Sequence, residues 1–300
     1  MRHHRRITPL LYLLPNLTGF LVFVMVPVGA ALALSFFRWD LFHPPRFVGL
    51  ANFRDLLGWH RDVEGIVRFN DANFWKYLYN TIYLMAAIPI TMFCSLVLAV
   101  LLNQKIPGRM FFRTIFYLPS ICAGVGLLLL WKFLYNGDFG LVNHLLAAVG
   151  IAGPDWLNSY SWSKPALMII MIWGGMGGTS MILYLAGLQG IPPELYEAAE
   201  IDGASPWHRF RHITIPMLSP TTFFIFITAV IAGFQGGFDM AYILTRGGPD
   251  GATTTLSYYI YNHAFEYFNM GYAAALALVL FVLVLGVTIV SWRFGRSATE

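Results

Sequence analysis

Charge is scarce in this sequence. Only 11% of its 300 residues are Asp, Glu, Lys or Arg, while 57% are hydrophobic; ordinary globular domains carry about 25% charged residues. A soluble fold cannot hide that much apolar surface, because a single core stops growing near ~250–300 residues. Lipid is therefore the solvent for most of the chain. Cysteine is scarcer still. The two present, Cys94 and Cys122, lie within apolar runs and read as small packing residues that say little about redox compartment.

The chemistry-bearing motifs are missing too. No G-x-x-x-x-G-K-[ST] phosphate loop occurs, which excludes ATP binding by that route. No H-E-x-x-H and no C-x-x-C occurs, so no metal site is recognisable, and the eight histidines are scattered among loops and termini. No G-x-S-x-G motif points to a hydrolase. No Asp, Glu, Lys or Arg stands in the middle of a long apolar run. That argues against a proton-driven carrier, although sodium coupling through backbone carbonyls at broken helices stays open. A chain of this kind that moves solute uphill takes its energy from another subunit.

What is present in quantity is apolar sequence in long runs. A membrane helix needs about 20 largely apolar residues. Six runs qualify, at about 10–37, 77–102, 114–134, 165–189, 213–238 and 267–292. The first follows a basic start, MRHHRR, but its charge-free stretch is about twice the 7–15 residues of a signal-peptide core, so it reads as a retained span. Lys132 lies near the end of the third run, where it can snorkel to the interface. The residues divide as an all-α integral membrane protein, a single transmembrane domain over 1–300, with no internal repeat.

Lys and Arg orient the spans. With the N-terminus inside, they divide almost evenly between the two sides, and the short segments decide. The 103–113 connection is purely basic, with Lys105, Arg109 and Arg113, and both termini are basic apart from Glu300. The longer 38–76 segment offsets its arginines with Asp40, Asp55, Asp62, Glu64 and Asp71. Both termini are therefore expected in the cytoplasm, with 38–76, 136–164 and 239–266 outside. The 141–149 stretch has the spacing of a short helix lying in the outer interface.

The polar stretch YEAAEIDGASPWHRFRHITIPMLSP, 196–220, stands out from this background. Ile191-Pro192-Pro193-Glu194 makes a good helix entry, with proline in the first turn and an acid at the positive end of the dipole. Gly203 fits the left-handed position that stops a helix. Ser205 can cap a second helix with Pro206 at its first position. Tyr196, Ala199 and Gly203 lie near one face, Leu195, Ala198 and Asp202 near another. Ala198 and Ala199 offer a flat, small surface, Glu197 projects beside it, and Arg209 and Arg211 are available to lipid phosphates or a partner's acids. A solvated connection whose charges mark topology is the competing reading of the same residues.

Glu197-Ala198-Ala199, then Gly203, then Ile213-Thr214-Ile215-Pro216 resembles the EAA signature of ABC importer permeases. FFRTIFYLPS at 111–120, FLYNGDFGLVN at 133–143, YILTRGGPD at 242–250 and YNHAFEYFNMGYAAAL at 261–276 are similar to the carbohydrate-uptake branch, which includes maltose and glycerol-3-phosphate permeases. The resemblance spans nearly the whole chain. Two features depart from it: the extra N-terminal spans and large periplasmic domain of the maltose permease are missing, and FQGGFD at 234–239 carries one more glycine. Sugar-contact residues are not carried over.

The resemblance implies a type I importer (MetI-like) fold with a cytoplasmic coupling loop at 190–212. It implies that Glu197, Ala198, Ala199, Asp202, Gly203 and Pro216 dock into a dimeric cytoplasmic ATPase, Glu197 pairing with a basic residue there. ATP and Mg would sit on that ATPase; this chain would bind no cofactor and catalyse nothing. A second, MalG-like permease subunit would complete the pathway and an extracytoplasmic solute-binding protein would deliver the solute. Membrane lipid surrounds the chain, and nothing points to nucleic acid.

Solute residues are less marked. Span four holds Trp173-Gly174-Gly175-Met176-Gly177-Gly178, where glycines permit close helix contact or an opening beside Trp173. Gln235, Phe238, Asp239 and Tyr242 near the end of span five suit sugar stacking and hydrogen bonding, with packing or gating equally open. The lack of buried cations favours a neutral solute over a phosphorylated one. A sugar leads, glycerol-3-phosphate or a polyol follows, and an ion-coupled carrier or a membrane scaffold needs no EAA segment.

Overall fold

The computed structural model describes residues 4–122 and 124–296, with side chains from Tyr12 and up to Arg293. In chain order the elements are α1 (His4–Phe20), a π turn (Leu21–Met25), α2 (Val26–Leu34), β1 (Phe37–Arg38), β2 (Arg46–Phe47), α3 (Ala51–Leu57), β3 (Trp59–Arg61), β4 (Val67–Phe69), α4 (Ala72–Met85) and α5 (Ala87–Asn103). Then come α6 (Arg109–Ile121), α7 (Gly124–Leu134), α8 (Leu141–Ala148), α9 (Ser163–Met176), α10 (Thr179–Gln189) and α11 (Pro193–Ile201). The remainder is α12 (Pro206–Arg209), a π turn (Phe210–Thr214), α13 (Ile215–Met217), α14 (Ser219–Gln235), α15 (Phe238–Met240), a π turn (Ala241–Thr245), α16 (Leu256–Tyr261), a π turn (Asn262–Glu266) and α17 (Met270–Arg296).

Among the described residues, four helices are long and apolar enough to cross a membrane: Tyr12–Leu34, Ala72–Asn103, Ser163–Gln189 and Met270–Arg293. Two further pairs, α6 with α7 and Pro206–Met217 with α14, bring the total to six if each pair is one span. The fold is mostly helical, yet the all-α expectation misses two antiparallel hairpins, one pairing Phe37 with Phe47 and the other Trp59 with Phe69. Strands this short carry too few residues to show a period of two.

Two runs differ from a plain helix. The run at 114–134 breaks at Cys122, whose backbone is extended (φ −63°, ψ 144°), three residues past the helix-internal Pro119. Cys122 is exposed, and Cys94 half-buried. The packing role expected of Cys122 is thus corrected: it stands at a helix end and not on a buried face. The run expected from residue 213 begins its straight helix at Ser219, bent by 59° from the segment before it. Pro216 and Pro220 remove two backbone donors there, which is the usual cause of a sharp kink.

The contacts group into two compact units, residues up to Phe74 with Tyr259–Val282, and Trp75–Tyr258 with residues from Leu283. In the first unit Asn52 is buried and donates to the Ser35 and Phe37 carbonyls at 2.8 and 2.9 Å. Asp71 receives the Tyr259 and Tyr272 hydroxyls at 2.7 and 2.5 Å and caps the start of α4 at the Phe74 N–H, 3.0 Å. The acids of 38–76 do offset its arginines, at Arg38–Asp55 (3.5 Å) and Arg68–Asp62 (2.7 Å). None of the described side chains of Tyr12–Leu34 is buried, an arrangement that lipid accepts and water does not.

The second unit is held by a core of Leu84, Leu128, Tyr135, Trp156, Leu157, Ala166, Leu167, Ile170 and Leu244. Here α5 packs on α9, α10 and α14. The loop before α16 is sealed by α4: the Asn80 amide donates to the Gly251 and Thr254 carbonyls at 2.8 and 3.0 Å, and the Leu256 N–H donates to Thr81 Oγ1 at 3.0 Å. Thr253, Thr254 and Thr255 are all buried there.

Candidate functional site

The polar segment folds from its own local signals. Pro192 and Pro193 open α11, with Glu194 in its first turn. Gly203 ends it in the left-handed region at φ +77°. The Gly203 N–H donates to the Glu200 carbonyl at 3.0 Å and the Ala204 N–H to the Ala199 carbonyl at 2.8 Å, the paired bonds of a Schellman stop. The Ser205 hydroxyl then accepts from the His208 N–H at 3.3 Å, and Pro206 begins α12.

Two side-chain ties brace the helix-turn-helix. Tyr196 and Thr214 share a hydroxyl hydrogen bond of 2.9 Å, and Arg209 donates to Glu200 at 2.9 Å. Arg209, expected to be available to an outside acid, is therefore engaged within the segment, because the Schellman turn brings Glu200 back over α12. Glu197 and Asp202 are exposed, and their carboxylates make no hydrogen bond or ion pair among the described residues. Ala198 is exposed and Ala199 half-buried. Ile201 and Trp207 are 87% and 67% exposed. The outer face of α11 and α12 is thus a low surface with two unpaired carboxylates, Glu197 and Asp202, and an apolar rim, on a backbone already fixed. Pro216 lies at the bend where this segment meets α14.

Inside the helical bundle is a cavity of about 250 Å³ lined by α4, α5, α9, α10 and α14. Its walls are apolar, with Thr81, Thr91, Ser180 and Thr255 as the hydroxyl-bearing residues and Gly233, Gly236 and Gly237 where backbone comes close. The volume falls just below the ~300–1,000 Å³ of ligand pockets. These threonines and the serine were invisible to sequence reading. Isolated hydroxyls in apolar helices give no pattern, and many bond only to the preceding turn, as Thr91 does to Ala87 at 2.8 Å.

The aromatic and polar residues nominated from sequence stand apart from that wall. Trp173 packs edge-on against Trp131, ring centroids 5.4 Å apart. Phe238 and Tyr242 stack at 5.6 Å, and both meet Tyr258, at 5.9 and 6.0 Å. Gln235 and Asp239 are exposed beside them. The added glycine of FQGGFD makes a tight turn, with Gly237 at φ +81° and pressed against Thr255. In span four the glycines serve close packing: a Cβ on Gly175 would meet Thr91 Cγ2 at 2.8 Å, one on Gly177 would strike the Phe116 carbonyl, and Gly174 alone of the four faces open space. The helix breaks at Gly177–Gly178, and Ser95 satisfies the Met176 carbonyl at 2.9 Å.

One expectation is overturned. Lys164, placed outside the spans from sequence, starts α9, is 9% exposed, and lies over the rings of Tyr79, Tyr83 and Tyr160 at 4.9, 5.3 and 5.9 Å. A cation held by ring faces needs no carboxylate. The chain does bury a cation, and the argument for a neutral solute loses its ground. Lys132 does reach out of its helix, to the Ile243 carbonyl at 2.9 Å.

Two groups in the non-spanning parts of the first unit titrate abnormally. His43, hydrogen-bonded to Asp40 at 2.7 Å, holds that carboxyl down at about 2. Burial lowers His263, against the opposing pull of Asp71. Its ring is packed by Tyr259, Tyr267 and Tyr272, and its Nδ1 is buried without a partner. Among the described residues no three His, Cys, Asp or Glu converge as a metal site.

A polytopic helical membrane protein carrying a rigid polar segment between two spans is the class these features define. Residues 74–296 match the family of the binding-protein-dependent transport system inner membrane component, and the chain belongs to that family. It is a multi-pass inner membrane protein and a non-catalytic transport subunit. The trehalose/maltose transport system permease protein MalF of Thermococcus litoralis is 35% identical over 291 residues, 95% of this chain and 92% of that one. The sn-glycerol-3-phosphate transport system permease protein UgpA of Yersinia enterocolitica is 33% identical over 290 residues, 95% and 93% of the two chains. Among solved structures, a bacterial ABC transporter involved in the import of the acidic polysaccharide alginate superposes with a TM-score of 0.84 at 25% identity, covering 100% of both chains.

Proposed function

We propose that this chain is one of two permease subunits in an ABC importer of a sugar. It forms half of a membrane pathway that works by alternating access. The braced segment at 190–212, with Glu197 unpaired on its outer face, is the observation that carries this reading. A surface already fixed by a Schellman stop, a serine cap, Tyr196–Thr214 and Glu200–Arg209 transmits force without first ordering itself. In this reading Glu197, Ala198, Ala199, Asp202 and Gly203 dock on a dimeric cytoplasmic ATPase that holds ATP and Mg. Pro216 passes the push into α14 through the bend. Both termini lie in the cytoplasm, and a solute-binding protein docks outside on segments including 38–76 and 239–266.

The sugar assignment rests on relatives named for trehalose, maltose and alginate. A second reading, glycerol-3-phosphate or another anionic polyol, draws on the relative named for sn-glycerol-3-phosphate and on the buried cation Lys164. Uptake of labelled maltose and of labelled sn-glycerol-3-phosphate by the assembled importer separates the two. Saturable, ATP-dependent uptake of the sugar alone supports the first reading, and uptake of the phosphate ester alone replaces it with the second.

A further inference from the structure

The second unit carries a groove that the transport reading does not use. It has a volume of about 520 Å³ and runs between α6 and α10. One end is polar, with Arg113, Tyr117 and Gln189; the rest is walled by apolar side chains including Leu118, Ile182 and Leu185. Leu118 and Ile182 are 55% and 43% exposed. From Arg113 to Ile121 the wall climbs about 12 Å along the helix, at about 1.5 Å per residue.

The polar end is electrically unfinished. Arg113 donates one bond, Nη2 to the Leu102 carbonyl at 3.2 Å. Its Nε is buried with no partner, and it pairs with no carboxylate among the described residues. An orphaned buried guanidinium N–H destabilises the fold unless something accepts from it. Arg113 closes a connection, 103–113, that also holds Lys105 and Arg109 and no acid. A ligand that fits has an anionic head to accept from Arg113 and an apolar tail to fill the groove.

We infer that this groove is a binding site for an anionic phospholipid. The headgroup phosphate accepts from Arg113 Nε, Tyr117 and Gln189 flank it, and an acyl chain lies along Leu118 and Ile182. A soluble solute leaves the apolar wall unsatisfied, and a zwitterionic lipid gains less from the basic connection. The proposal rests on the membrane placement of α6 and α10 and not on the sugar assignment, so the two fail independently.

The test uses the full chain with its co-purifying subunits, in phosphatidylcholine nanodiscs. A trace of phosphatidylglycerol carries a photoactivatable acyl chain, and adducts are mapped by peptide mass spectrometry. Labelling is expected on the 118–121 and 182–185 stretches and to fall about fivefold in Arg113→Gln, roughly the effect of one basic residue near an anionic surface. It is expected to persist in Arg113→Lys, and to be competed by unlabelled phosphatidylglycerol but not by added phosphatidylcholine or inorganic phosphate. Because Arg113 also holds the Leu102 carbonyl, Gln189→Leu serves as a second variant, with labelling expected to fall about threefold for a lost hydrogen bond. Unchanged labelling in both variants overturns the proposal. So does equal competition by phosphatidylcholine. Competition by inorganic phosphate makes the site one for a soluble anion. Labelling of the lone chain that vanishes in the assembled complex makes the groove a subunit contact.

Discussion

Glu197 and Glu200 sit one turn apart on α11, and their environments differ. Glu200 is tied to Arg209, while Glu197 has no partner among the described residues. Reversing Glu197 to Lys is therefore expected to leave folding and membrane insertion intact. It should weaken ATPase docking by about 30-fold or more, the effect of placing like charge at a docked ion pair, ~2–5 kcal/mol. Co-purification of the ATPase with the variant measures this, and retention equal to the parent counts against the role given to Glu197. Gly203 is equally specific. Open space surrounds it, so only its φ of +77° resists a side chain. Gly203→Ala should cost about 1–2 kcal/mol, read as a lower midpoint of thermal unfolding. His263 makes a pH prediction. Burial lowers its pKa in the folded state, so the unfolded chain binds more protons between the lowered value and the ordinary one. Stability is full above the ordinary histidine range and is lost as pH falls through it. Thermal unfolding in detergent should drop from pH 7 to pH 5, and the drop should shrink in His263→Phe. These single residues were legible to different degrees. Gly203, Ser205 and Pro206 act through neighbours in sequence and could be read there. Lys164 could not, because its burial depends on tyrosines from another helix.

At the scale of elements, the long apolar runs declare themselves through length alone. Their interruptions are less plain. Cys122 and Leu218 mark breaks whose causes, Pro119 and the pair Pro216 and Pro220, are visible in sequence, yet proline alone does not say whether a membrane helix kinks or carries on. The two hairpins were not legible, being too short for alternation to register. Glycines in span four looked alike in sequence, and the structure separates them by what lies opposite. Gly174→Ala should be tolerated, while Gly177→Ala should destabilise the helix pair by roughly 1–3 kcal/mol, the range for overpacking, since a Cβ there strikes the Phe116 backbone. Comparing the detergent unfolding midpoints of the two variants checks this; equal midpoints would contradict the packing assignment. The cavity within the helical bundle shows the limit of motif reading. Its Thr81, Thr91, Ser180 and Thr255 come from four separate stretches, brought together only by the packing of α5 on its neighbours.

At the scale of the whole molecule, the chain has apolar helices to cross a membrane, a cavity among them, and no phosphate loop of its own. In the proposed reading the energy for transport comes from the ATPase, and the braced segment with Glu197 is the place proposed for its entry. The most direct measurement is solute accumulation in proteoliposomes containing this chain, with its permease partner, ATPase and binding protein supplied or withheld. The account predicts ATP-dependent accumulation only with the ATPase present, and its collapse in Glu197→Lys with the chain still inserted. Accumulation driven by this chain without any ATPase would contradict it.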